Sequence, residues 1–123
     1  MTDNSFLRIS LVIFCALFIA LLAFAKRGAP PQVSSVHYNG VVYSTISLPE
    51  TMGIVEARDD TTGKKLWERR IYSVVVMPAI EADVQWVFIT SMRLEGDSLL
   101  ITNERGKRFR LDLGTRKVQE LPP

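Results

Sequence analysis

The chain carries one histidine, one cysteine at position 15 and a scatter of carboxylates, so few groups are available for chemistry. His37 stands beside Asn39-Gly40 with no second histidine to share a metal, which predicts a cross-strand or surface position rather than a catalytic metal site. Glu81 and Asp83 are the closest carboxylate pair flanking an irregular stretch. An acid–base couple or a calcium ion could use them, but calcium takes about six to eight oxygen ligands and only two carboxylates stand nearby. Asp59-Asp60 reads first as a turn cap. No serine sits in a Gly-x-Ser-x-Gly setting, and no phosphate loop or dinucleotide fingerprint occurs. No catalytic residue, cofactor-binding residue or metal ligand is assigned, and the chain is expected not to be an enzyme.

The residues left for function are those that make contacts. Lys64, Lys65, Arg69 and Arg70 form one basic cluster; Arg105, Lys107, Arg108, Arg110, Arg116 and Lys117 form a second. In the second, Phe109, Leu111 and Leu113 alternate with Arg108, Arg110 and Asp112, the pattern of a strand with one face in a core and one in water. Such a basic face suits an acidic protein partner or anionic lipid headgroups. Trp67, Trp86, Phe88, Lys107, Arg108 and Arg110 are the candidate partner-binding residues, with core packing the alternative for the three aromatics. The net charge of +2 is far below a nucleic-acid footprint, so no nucleic-acid partner is expected.

These residues must be positioned by two unlike parts of a 123-residue chain. Residues 9–25 carry no charge, and as a helix their 17 residues would extend roughly 26 Å, the short end of what spans a bilayer. A retained anchor is the preferred reading. The small-x-small sequence Ala23-Phe24-Ala25 keeps a cleaved signal open, which would release a secreted binding or inhibitor domain after Ala25. Phe14 before Cys15 argues against a lipidated cysteine. Arg8 on one side and Lys26-Arg27 on the other nearly balance the positive-inside rule. Residues 26–33 read as a stiff proline-containing linker and residues 34–123 as the β-domain.

Within that domain the hydrophobic period is two. Asn39-Gly40 between β-rich runs predicts a hairpin. A strand over 54–58, a polar turn over 59–63 and a long strand over 65–76 are expected next. An irregular connection over 77–83 leads to a long strand over 84–94, and strands over 98–103 and 107–113 complete the series. The predicted class is all-β, a small antiparallel blade-like meander preceded by one N-terminal transmembrane or signal helix.

One stretch is more specific. Ala57-Arg-Asp59-Asp-Thr-Thr62-Gly63-Lys-Lys-Leu-Trp67 resembles the A-x-D-x-x-T-G-x-x-x-W signature of PQQ-type β-propeller repeats, and Asp112 and Thr115 follow Asp59 and Thr62 at 53 residues. Arg116 then replaces the glycine and Glu120 the tryptophan. About two blade lengths are present and a closed ring needs at least four blades, so the family's quinone chemistry is not carried over. The resemblance implies a blade-like sheet and a place outside the bacterial cytoplasm. It also brings a scaffold precedent, a propeller lipoprotein of outer-membrane assembly. The expected protein is a single-pass inner-membrane accessory protein whose periplasmic β-domain docks on a larger membrane or periplasmic complex.

Overall fold

The computed structural model describes residues 28–123, and the anchor or signal expected over residues 9–25 lies outside the described residues. What is described is all-β apart from 3-10 turns at Pro49–Thr51 and Asp83–Gln85, and no helix among these residues is long and apolar enough to cross a membrane. The meander is two sheets. Strands β1 (Val36–Tyr38), β2 (Val41–Ser44), β3 (Ile54–Asp59) and β4 (Lys65–Arg70) pair antiparallel in sequence order. Strands β5 (Ile89–Glu95), β6 (Ser98–Asn103), β7 (Arg108–Asp112) and β8 (Val118–Glu120) do the same.

Local chemistry accounts for the turns. Asn39 and Gly40 both take positive φ, 49° and 74°, as a two-residue hairpin loop requires. In the 59–64 turn, Asp59 Oδ1 accepts the N–H groups of Thr61 and Thr62 at 2.9 and 2.8 Å, and Gly63 donates to the Asp59 carbonyl. The same construction recurs 53 residues on: Asp112 Oδ1 accepts from Gly114 and Thr115 at 2.9 and 2.7 Å, and Arg116 donates to the Asp112 carbonyl. Arg116 keeps the left-handed backbone of Gly63, with φ 62° against 71°. Glu120 does not keep the register of Trp67: Trp67 faces Ala57 across a ladder irregular at Ala57/Arg58, whereas Glu120 faces Phe109, one residue short of the equivalent Arg110.

Two expected strands are shorter than their sequence pattern. β4 stops at Arg70 rather than reaching Val76, because its partner β3 begins only at Ile54; the last bond at this end runs from the Ile71 N–H to the Gly53 carbonyl. β5 starts at Ile89 rather than Val84, since Asp83–Gln85 forms a 3-10 turn. Val87 and Phe88 are buried by packing and not by strand pairing.

Alternation then decides how the sheets meet. Tyr43, Ala57 and Trp67 share one face of the first sheet, Ile101 and Phe109 one face of the second. Tyr43, Val55 and Ala57 belong to one buried cluster with Met92, Leu99, Ile101, Phe109 and Leu111. The seam is reinforced at both ends. The Tyr72 ring stacks on Phe109 at 5.3 Å, and its hydroxyl donates to the Val87 carbonyl at 2.6 Å. Burial, with the Glu104 carboxylate adding, pushes that hydroxyl above its usual range, so it stays a donor. On the other side, the Arg116 guanidinium sits 4.8 Å from the Trp67 ring centre while Arg69 Nε donates to the Arg116 carbonyl at 3.0 Å.

Candidate docking surface

The structure separates the six residues expected to bind a partner. Phe88 is 1% exposed, and its N–H donates to Glu104 Oε1 at 2.9 Å, so its ring belongs to the interior. Trp67 is half-buried between the Tyr43 ring and Arg116 and helps to close the two sheets. Trp86 is half-buried with its ring 6.1 Å from Phe88. Core packing thus describes Phe88, Trp67 packs against the core at its edge, and Trp86 keeps part of its surface open. The three basic residues lie at the surface.

Arg108 and Arg110 stand on the outer face of the second sheet, opposite Phe109 and Leu111, as the alternation predicts. Lys107 falls on the other side of the strand, with Nζ 3.5 Å from Glu120 Oε1. The register supplies a member that sequence reasoning missed. Arg93 of β5 faces Leu100, which faces Arg110, so Arg93 joins the same face. The signal was present in the period-two series Ser91, Arg93, Glu95, but reading it needed the true start of β5. Leu100 is buried although it points outward, which is what long arginine stems on either side produce.

This face carries three guanidinium groups, two of them beside one carboxylate. Glu95 lies 3.7 Å from Arg93 Nη2 and 3.4 Å from Arg110 Nη2, and Arg108 Nη2 donates to the Pro122 carbonyl at 3.0 Å. Asp112, the one acid of β7 and on the same face, is committed to its turn. Ser91, Arg93, Leu100, Thr102 and Arg108 line a shallow open hollow there. Pairs this exposed contribute only about 0–1 kcal/mol each, so the arginines are not what holds the sheet together. The outer face of the first sheet differs. Glu56 is 2.7 Å from Arg58 and 3.9 Å from Lys65, and Lys65 is 2.9 Å from Glu68, so these four charges compensate one another, while Arg70 on the same face donates to the Met52 carbonyl at 3.2 Å.

The groups weighed for chemistry are dispersed. His37 Nδ1 lies 3.5 Å from Asp60 Oδ1 at an exposed position, Asp59 caps its turn, and Glu81 and Asp83 are on an exposed loop. Among the described residues no three His, Cys, Asp or Glu side chains are grouped so that they could hold a metal ion.

No family model matches the chain, and no curated protein matches it in sequence. Among solved structures it is similar to the crystal structure of BamB from Moraxella catarrhalis, with 21% identity and a TM-score of 0.56. The match covers 78% of this chain and 28% of that one, so the chain spans less than a third of BamB's length. The likeness is one of fold: a BamB-like arrangement of antiparallel sheets.

Proposed function

We propose that this chain is a membrane-tethered accessory protein whose β-domain docks, through the arginine face of its second sheet, on an acidic surface of a larger membrane or periplasmic assembly. One observation carries the reading: Arg93, Arg108 and Arg110 share a single outward face, where Glu95 pairs with two of them and the second acid, Asp112, is taken up by its turn. Unbalanced charge on an otherwise solvated sheet steers association with a surface of opposite sign. The BamB-like fold supports a role in protein–protein interaction. Residues 9–25, uncharged throughout, support the tether, and the resemblance to exported repeats supports the periplasmic side. Ala23-Phe24-Ala25 favours a second reading, a released binding domain, which the intact mass of the mature protein decides.

Arg108→Ser with Arg110→Ser should leave the melting temperature within a few degrees, as surface substitutions usually do. Recovery of cross-linked partner from intact membranes should fall about three- to tenfold at low ionic strength, the range expected when two rim charges are removed. The difference should shrink as salt rises, because screening already weakens the native attraction. Equal recovery at low salt would return this face to ordinary solvated surface. Alkaline phosphatase fused after Pro123 should be active and membrane-bound; an inactive fusion overturns the orientation, and an active soluble one overturns the tether.

A further inference from the structure

The two ends of the first sheet differ in character. Register sets the start of β1, the end of β2, the start of β3 and the end of β4 together at one end. The other end holds only polar turns, Asn39-Gly40 and residues 59–64. At the first end two segments leave the sheet, residues 45–53 and the connector to the second sheet, and most of the exposed large hydrophobic side chains of the described residues lie on them. Ile46 and Leu48 are on the first; Val75, Met77, Ile80 and Val84 are on the connector, with Val75 84% exposed.

The connector is a built loop. The bond from the Tyr72 hydroxyl to the Val87 carbonyl clamps its base. Inside it the Gln85 amide accepts the Met77 N–H at 2.6 Å and donates towards the carbonyls of Met77, Ile80 and Glu81 at 3.0–3.2 Å. A polar side chain thus organises the inside of the excursion while its apolar side chains face outward. That is the reverse of a solvated loop and marks a contact surface.

We propose that this end of the domain rests on the lipid bilayer, with the loop of residues 75–84 lying in the headgroup layer. The inference rests on the tether proposed above. Its further support is where the chain enters: the Ser47 hydroxyl donates to the Pro31 carbonyl at 2.8 Å, so the linker is fastened to the 45–53 segment at this same end. Only six peptide steps separate Pro31 from Ala25, the last residue of the uncharged run, which allows about 20 Å at full extension. The headgroup layer takes up much of that span, since a bilayer of about 40–45 Å has a hydrocarbon core of about 30 Å. The short linker leaves the apolar end no distant partner. Ser73 and Val74 share a hollow with Arg105, Lys107 and Glu120; Glu120 pairs with Lys107, which leaves Arg105 as the cation beside the loop where lipid phosphates lie. Glu81 and Asp83 on the same excursion keep it from entering the hydrocarbon.

The test uses the full chain reconstituted in vesicles of phosphatidylethanolamine and phosphatidylglycerol. A polarity-sensitive dye is placed on the native Cys15, or, in a Cys15→Ser background, on Met77→Cys, Ile80→Cys or Thr61→Cys. Emission from positions 77 and 80 should shift to the blue and be quenched by lipids spin-labelled near the headgroup, while position 61, at the polar end, should emit as in water. If Cys15 reports lipid while 77 and 80 report water, the bilayer contact is overturned and the loop is left to a protein partner. If Cys15 itself reports water, the tether fails and the contact fails with it.

Discussion

Arg116 combines an unfavourable backbone with two favourable contacts. A left-handed φ of 62° costs a residue with a Cβ about 1 kcal/mol, whereas its guanidinium over Trp67 returns about 0.5–1 kcal/mol. Its carbonyl serves Arg69 whatever the side chain. Arg116→Gly should therefore be close to neutral, because relief of strain offsets the lost ring contact. Arg116→Ala keeps the strain and loses the contact, and should unfold at lower denaturant than the glycine variant by about 1 kcal/mol. An alanine variant as stable as the glycine one would mean that this position is not held left-handed. The turn carboxylates make a second prediction. The Thr62 N–H above all, then that of Thr61, holds Asp59 below the usual carboxylate range. The Thr115 N–H does the same for Asp112, with its hydroxyl and Gly114 adding. A depressed folded-state pKa gives stability that is present above the unfolded value and lost as pH falls through the folded one. Asp59→Asn with Asp112→Asn preserves an acceptor in each turn, so the variant should fold, start less stable at neutral pH and lose less on acidification. Parallel acid limbs in thermal melts would count against these two carboxylates as the source.

At the scale of elements, two glycines of equal φ separate conformation from space. Gly53 and Gly63 both sit at 71°, but a Cβ on Gly63 meets nothing within 4 Å, while one on Gly53 would lie 2.5 Å from the Tyr72 carbonyl oxygen. Gly63→Ala should cost about 1 kcal/mol for backbone alone. Gly53→Ala should cost clearly more, because the 71–72 segment must move and takes the bond from the Ile71 N–H with it. Equal denaturation midpoints for the two variants would contradict this. The turns were legible in the sequence because Asn39-Gly40 and the Asp59–Gly63 pattern state a backbone requirement in a few adjacent residues. The outward pointing of Arg108 and Arg110 was legible from Phe109 and Leu111 for the same local reason. The ends of β4 and β5 were not. Val74-Val75-Val76 has strand-forming residues, but nothing in those residues shows that β3 no longer runs beside them. For Phe88 the sequence leaves core and contact surface both open, because apolar residues on both faces mean burial without saying by what.

The described residues form two sheets that turn their apolar faces to each other and charged faces outward. The 53-residue recurrence carried the number of units, but which face meets which is a matter of packing that alternation leaves open. Terminal units of repeat arrays have polar outer faces, and here both outer faces have that character. A shared core predicts shared unfolding. Leu99 is fully buried on the second sheet, and Leu99→Ala should cost about 2–5 kcal/mol. Its effect should reach the first sheet: in a Trp86→Phe background, the fluorescence of Trp67 and the far-ultraviolet circular dichroism should move to one new midpoint. Separate midpoints would make the sheets independent units.

That shared core also imposes an order in time. Every strand pairs with its neighbour in sequence, so the hydrogen bonds of the first sheet can form as soon as residue 70 has been made. Its apolar face has no such freedom, since Tyr43, Val55 and Ala57 are buried in a cluster completed by Leu99, Ile101, Phe109 and Leu111. During synthesis or export the first half of the domain must wait, with paired strands and an uncovered face, for about forty more residues to emerge, a few seconds at ordinary rates of elongation. A nascent chain arrested near residue 88 is therefore the species in which a holdase chaperone would find most to bind.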